Sequence, residues 1–194
     1  MSRKTCLITG GAGFLGSKFC NFFLSKNFEV ICVDIKKPKK IRYKTNISFN
    51  YCDIANENHV IELFKKFKNK NIQVLINNAA IDAIPKINTK SKMEYPDLDT
   101  WWKEINVGIL GSYLMIKYFG ELMIKKKYGS IINIGSDLSV IAPNQNIYKT
   151  SYENYKKPPT YSVIKHGLLG LTKYYAALYA NKNVKVNMVS PGPV

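Results

Sequence analysis

Acidic residues are scarce in this chain. Its 194 residues carry 13 Asp and Glu against 29 Lys and Arg, a formal net charge of +16. Arginine is almost missing as well: Arg3 and Arg42 are the only two, and every other basic residue is lysine. Proteins that read phosphates and bases favour the arginine fork, which matches those groups. The charge is therefore read as a lysine-rich composition, and no nucleic-acid partner is expected. The densest run, Lys36-Lys37-Pro38-Lys39-Lys40, contains a proline and falls where a loop is expected, while Lys125-Lys126-Lys127 suits the end of a helix. Histidine is down to His59 and His166, and the 4 cysteines (Cys6, Cys20, Cys32, Cys52) form no C-x-x-C pair. No metal site is expected from such a set, nor a disulfide framework. Cys6 and Cys32 lie in strand-like runs and read as small buried hydrophobes. No run approaches the ~18 consecutive apolar residues of a membrane span. The start of the chain leads through Cys6–Ile8 straight into glycines, unlike a signal peptide. The expectation is a soluble, cytoplasmic chain with no membrane partner.

What the chain does have is apolar content, 46% hydrophobic and 12% aromatic. That is too much for a disordered chain and enough for one self-supporting domain of this length. Strand and helix patterns alternate along it. Residues 4–9 are an apolar run that stops at Gly10, and 14–26 carry apolar residues at helical spacing. Residues 29–34 form a second strand ending in Asp34, and 47–51 a third. Residues 57–68 are helical again, and 73–76 a fourth strand stopping at Asn77-Asn78. After a polar loop over 82–98, a long helix is expected from Asp99, as its N-cap, to about Lys126. Residues 130–134 form a fifth strand, 161–180 a helix and 184–189 a sixth strand. Continuous apolar strands are those of a parallel sheet covered on both faces. The pattern is an α/β doubly wound Rossmann fold, with about six strands in the order 3-2-1-4-5-6.

Thr9-Gly10-Gly11-Ala12-Gly13-Phe14-Leu15-Gly16 joins the first strand to the first helix. Glycines there permit a tight turn and let backbone N–H groups approach a pyrophosphate at the positive helix end. Asp34 follows Gly16 by 18 residues, where an acid meets the adenosine ribose hydroxyls. An acid there favours NAD and would repel the 2′-phosphate of NADP; Lys36 and Lys37 beside it leave some use of NADP open. Asp34 as an ordinary strand-end acid is the plainer alternative.

Further motifs follow in order. They are Cys52-Asp53-Ile54, Asn77-Asn78-Ala79-Ala80, Ile105-Asn106-Val107-Gly108, Ile132-Asn133-Ile134-Gly135-Ser136, Tyr161-Ser162-Val163-Ile164-Lys165 and Pro191-Gly192. Together they resemble the short-chain dehydrogenase/reductase family over essentially the whole chain. The resemblance implies an oxidoreductase that interconverts an alcohol and a carbonyl with NAD in preference to NADP. It implies a catalytic set of Asn106, Ser136, Tyr161 and Lys165. It places Gly10, Gly13, Phe14, Leu15, Gly16, Asp34, Ile35, Asp53, Ile54, Asn78, Ala79, Ala80, Tyr161, Lys165, Pro191, Gly192 and Val194 along the cofactor. The residue types agree with that chemistry. Tyr161 can give or take the substrate proton, and Lys165, four residues on, shares its helix face. An ammonium there favours the phenolate. Ser136 can hydrogen-bond the substrate oxygen. By the resemblance, Asn106 helps hold a water chain to solvent.

Tyr-x-x-x-Lys also occurs at Tyr113/Lys117 and Tyr152/Lys156. The first lies in the long helix, where Tyr113 reads as packing. The second is followed by Pro158 and Pro159, and residues before proline avoid helix, so Tyr161/Lys165 is preferred. The chain departs from the family pattern in three ways. The G-x-x-G-x-x-G spacing is that of the family's extended branch, Ala80 stands where a glycine is usual, and Ser136 and Tyr161 are 25 residues apart, a longer gap than is customary. The excess, around 144–160, reads equally as a solvated loop or as a flap in which Tyr148, Tyr152 and Tyr155 touch a polar ligand. The combination resembles a bacterial subgroup of surface-glycan and flagellin sugar biosynthesis, which implies a polyol or sugar-derived small-molecule substrate. Two other functions stay open: a sugar-nucleotide epimerase or dehydratase with tightly bound NAD, and a non-catalytic NAD-binding protein. The family further implies a homodimer or homotetramer through helices at about 100–126 and 161–180. It also implies that residues 1–194 are one NAD(P)-binding domain lacking a C-terminal seventh strand, poorly active by itself.

Overall fold

The computed structural model describes residues 3–42, 45–81, 96–149 and 156–192. The order of elements is β1 (Thr5–Thr9), α1 (Phe14–Ser25), β2 (Glu29–Asp34), β3 (Ile47–Tyr51), α2 (Glu57–Phe67), β4 (Ile72–Asn77), α3 (Leu98–Lys126), β5 (Gly129–Ile134), α4 (Pro159–Tyr179) and β6 (Val184–Val189). All pairings are parallel, in one six-stranded sheet of order β3-β2-β1-β4-β5-β6. β1 lies between β2 and β4, and each of its residues is buried. This is why its run Cys6-Leu7-Ile8 shows no polar alternation.

Side chains of successive strand residues point to opposite faces, and here both faces are apolar. Leu7, Ile31 and Val33 join the core under α2, α3 and α4, with Phe67, Met115, Phe119, Tyr175 and Tyr179. Cys6, Ile8, Val30 and Cys32 join the other, under Cys20 and Leu24 of α1. All four cysteines are free and buried, as expected of Cys6 and Cys32. Burial and the nearby acids Asp53 and Glu62 push the Cys52 thiol up to about 12. The bond to Cys32 together with burial raises that of Cys20. A thiol reagent at pH 8 is expected to leave the native chain unlabelled and to react with all four thiols once the chain is denatured. Rapid labelling of the native chain would contradict this packing.

α3 differs from the expected helix in two ways. Its N-cap is Asp97, not Asp99: the Asp97 carboxylate accepts from the Thr100 N–H at 2.7 Å. It also widens to π geometry over Asn106–Leu110 and Ile116–Gly120, where the Gly111 N–H donates back to the Asn106 carbonyl. By length and composition α3 could cross a bilayer, yet half of its apolar stretch is buried within the fold. Leu114, Met115, Ile116, Phe119 and Met123 form part of the core, so its hydropathy is that of a core helix. Lys117 is held by Glu57 of α2 at 2.8 Å, and Tyr113 is 38% exposed. Tyr113 is thus a surface residue, contrary to the packing role read from the sequence, and Lys117 is engaged elsewhere.

Candidate active site

The glycine turn is shaped by contacts that exclude a side chain. Gly10 has φ +63°, and a Cβ there would lie 2.8 Å from the Cα of Ala79. At Gly16 a Cβ would lie 2.0 Å from the Gly10 carbonyl oxygen. Gly11, which the sequence reading passed over, sits on the cysteine pair: a Cβ would be 2.6 Å from Cys32 Sγ. The turn ends in α1, whose first turn has no side-chain cap, so its backbone N–H groups are those of an anion-binding helix end.

Three side chains hold this turn. The Ala12 N–H donates to Asp34 Oδ2 at 2.9 Å and the Lys36 N–H to Asp34 Oδ1 at 3.0 Å. Asp34 at the end of β2 is thereby fixed beside the glycines, in the place an adenosine ribose would need it. Just after β4, the Asn78 side-chain amide donates to the carbonyls of Thr9 and Gly10 at 3.0 and 3.1 Å. Thr9 Oγ1 accepts from the N–H groups of Asn78 and Ala79. Thr9 was not singled out in the sequence, because a hydroxyl at a strand end looks the same whether it is bonded or solvated. Asn77 extends a buried amide chain: it donates to Asn133 on β5 at 2.9 Å, and Asn133 donates to Thr172 on α4 at 2.9 Å.

The other expected cofactor residues are distributed around this turn. Phe14 and Ile35 are exposed beside it, Leu15 is half-buried, and Gly13 and Ala80 are exposed. Asp53 Oδ1 accepts from the Ala55 N–H at 3.0 Å, tying the turn into α2. The Ile54 side chain is in the core, against Gly111, so only its backbone can face a ligand. Pro191 and Gly192 follow β6, and the Pro191 carbonyl accepts from the Asp137 N–H at 3.0 Å. Val194, Tyr152 and Tyr155 lie outside the described residues. A glycine cradle that a Cβ would fill, an uncapped helix end and a fixed strand-end acid together fit a dinucleotide.

The catalytic candidates gather at the C-terminal end of β5. α4 begins with Pro159 at its first turn, a position that suits proline because no N–H is needed there. Tyr161 is half-buried in that turn. Lys165 is only 6% exposed; its Nζ donates to the Ile134 carbonyl at 2.8 Å and lies 5.5 Å from the centre of the Tyr161 ring. Ser136 follows two residues after Ile134 and is buried. Its Oγ donates to Asp137 Oδ1 at 2.7 Å and accepts from the Leu138 N–H at 3.2 Å, while its N–H donates to Ser139 Oγ at 3.0 Å. α4 also packs on the first π stretch of α3. A Cβ at Gly108 would meet Ile164 at 2.5 Å, and one at Gly167 would meet Ile109 at 2.7 Å. Asn106 starts that stretch and is half-buried.

Four residues near the relay carried no sequence signal. Glu104 of α3 is buried and accepts from the Thr160 hydroxyl beside Tyr161. Lys157 Nζ stands 3.9 Å from the centre of the Tyr161 ring, a cation–π distance. Gln145 joins the ends of the long segment between Ser136 and Tyr161: its amide donates to the Lys157 carbonyl at 3.1 Å and accepts from the Lys157 N–H at 2.9 Å. Asp137 is bonded to Ser136. These are contacts across distant parts of the chain or within one turn, and no periodicity reports them.

The family model for short chain dehydrogenases matches residues 4–194. A short chain dehydrogenase/reductase of Gibberella zeae is 31% identical over 99% of this chain and 70% of its own length. A 3-oxoacyl-[acyl-carrier-protein] reductase of Buchnera aphidicola is 30% identical over 99% of this chain and 74% of its own. A crystal structure of a short chain dehydrogenase from Leptospira borgpetersenii with bound NAD+ superimposes with a TM-score of 0.84 at 28% identity. The match covers 100% of this chain and 72% of that one.

Proposed function

Since the chain belongs to the short-chain dehydrogenase family and is an oxidoreductase, we propose that it interconverts a polar secondary alcohol and the matching carbonyl, with NAD as the hydride carrier. The observation that carries this reading is the buried Lys165 ammonium, fixed on the Ile134 carbonyl beside the Tyr161 ring and one strand end from Ser136. A buried ammonium is costly to keep from water without a partner or a use.

In the oxidation direction Tyr161 takes the proton of the alcohol O–H. NAD supplies the hydride acceptor when bound. Lys165 holds the phenolate form of Tyr161 by its charge. Ser136 hydrogen-bonds the reacting oxygen, and Asn106 holds a water that carries the proton onward from Lys165. The glycine turn and the N-terminus of α1 hold the pyrophosphate, and Asp34 takes the ribose hydroxyls. That the Leptospira borgpetersenii relative binds NAD+ supports NAD as the cofactor.

The test is NADH formation at 340 nm from a panel of polyols and sugar derivatives. Turnover of at least one of them, lost without NAD, is expected; no turnover across the panel and no NADH binding would overturn the proposal. NADH is expected to bind more tightly than NADPH. Asp34→Ser is expected to narrow that preference by about 10-fold or more, since it removes a charge that repels a 2′-phosphate. Exposed apolar residues on α3 and α4 (Leu110, Tyr113, Val163, Tyr174, Leu178) support self-association through the helices at 100–126 and 161–180, which sedimentation would measure.

A further inference from the structure

The hydroxyl of Ser136 is already committed. A carboxylate accepts hydrogen bonds and donates none, so in the 2.7 Å contact with Asp137 Oδ1 the proton belongs to Ser136 and points at Asp137. One lone pair of the same oxygen receives the Leu138 N–H. Leu138 also donates to Asp137 Oδ1 at 2.8 Å, Ser139 Oγ accepts from the Ser136 N–H, and the Asp137 N–H is held by the Pro191 carbonyl. Ser136 and Ser139 are buried. The turn is thus a rigid one, tied at both ends, and it presents an acid next to the residue that must meet the reacting oxygen. Asp137 itself is only half-buried, and Oδ2 makes no hydrogen bond among the described residues.

This arrangement is mismatched to a simple carbonyl or a simple alcohol. To stabilise charge on the reacting oxygen, Ser136 must donate to it, and its only proton is on Asp137. A ligand that brings its own donor to Asp137 removes the mismatch: the carboxylate is then satisfied from the ligand, and the Ser136 hydroxyl rotates about one bond to the reacting oxygen. Ser136 and Asp137 are adjacent residues, so the second donor must sit close to the first oxygen.

We infer that Asp137 is a specificity residue, and that the substrate carries a hydroxyl or ammonium group on the carbon next to the reacting one, as a vicinal diol or amino alcohol. This rests on the oxidoreductase reading above and deepens it. A site built to bond a substrate hydroxyl rejects the analogue that lacks it far more strongly than it rejects a change of size. A hydrogen bond to a charged group corresponds to about 10- to 100-fold in affinity.

The test is a binding measurement, kept apart from turnover. The whole chain, saturated with NADH, is titrated calorimetrically with cyclohexane-1,2-diol, 2-aminocyclohexanol and cyclohexanol. The diol and the amino alcohol are expected to bind about 10- to 100-fold more tightly than cyclohexanol. Asp137→Ala is expected to abolish the difference. Asp137→Asn, which keeps an acceptor for the Leu138 N–H and so preserves the turn, is expected to retain part of the diol preference and to lose that for the amino alcohol. Equal binding of all three ligands by the unmutated chain, or a preference that survives both substitutions, would overturn the inference. NADH formation in parallel samples given NAD in place of NADH reports separately on the oxidoreductase reading, which can fail while the binding preference stands.

Discussion

Tyr161→Phe is expected to lower kcat by about 10²- to 10⁴-fold, the usual contribution of a positioned acid–base group, while NADH binding and thermal stability stay close to those of the unmutated chain. Phe keeps the ring, which occupies the first turn of α4 near two ammonium groups, Lys157 at 3.9 Å and Lys165 at 5.5 Å from its centre. Only the oxygen is lost, and with it the proton carrier. The substitution thus separates chemistry from packing. Tyr113→Phe is expected to have little effect, since Tyr113 is at the surface and its Lys partner is held by Glu57. Tyr152→Phe is likewise expected to leave kcat within about 2-fold, because residues shortly before proline disfavour helix and Tyr161 opens α4 instead. Loss of turnover in Tyr152→Phe with retention in Tyr161→Phe would transfer the acid–base role to Tyr152. Steady-state kinetics with a calorimetric melt of each variant decides between them.

Gly16→Ala is expected to have the second large effect, on cofactor binding. The added methyl would stand 2.0 Å from the Gly10 carbonyl oxygen and 2.8 Å from the Gly11 Cα. Both neighbours are backbone, and Asn78, Thr9 and Asp34 fix the turn through five hydrogen bonds, so the turn cannot move aside cheaply. α1 must shift away from β1 instead. Overpacking of this kind costs about 1–3 kcal/mol, and a displacement near 1 Å at a positioning element costs about 10²-fold. NADH affinity, read by fluorescence titration, is therefore expected to fall by about 100-fold, with a lowered melting temperature. Gly13→Ala is a milder control, because its Cβ would meet the Gly10 oxygen at 3.3 Å. Undiminished NADH binding by Gly16→Ala would show that the turn does not hold the pyrophosphate.

The sheet was legible before any coordinates. The inner strands β1 and β2, covered on both faces, appear as apolar runs, the edge strand β6 alternates buried and exposed residues, and the strand order follows from the right-handed crossovers of a doubly wound chain. The boundaries of β2, β3 and β6 agree with the sequence reading, and those of β1, β4 and β5 differ by one residue or so. The glycine turn was legible for the same local reason, since a strand, glycines and a helix in succession leave the backbone few options. The preference for Tyr161 over Tyr152 likewise rests on a local signal, since proline acts on φ and on the residue before it. Each of these signals is carried by residues close together in the chain.

Other features were decided only by the folded chain. The cap of α3 moved from Asp99 to Asp97, a choice between two acids that depends on which carboxylate reaches the Thr100 N–H. The π stretches of α3 do not follow from helix propensity; the first coincides with the pressure of Ile164 on Gly108. The Glu104–Thr160 bond, the Gln145 clasp on Lys157 and the ring contact of Lys157 join residues up to 56 positions apart. The commitment of the Ser136 proton to Asp137 depends on one turn of backbone. Local chemistry along the chain determined the α/β sheet and the glycine turn, and the order of its motifs carried the resemblance to the dehydrogenase family. Long-range packing decided that Glu104 meets Thr160 and that Lys165 reaches the Ile134 carbonyl, because those contacts join residues whose separation along the chain does not encode their distance.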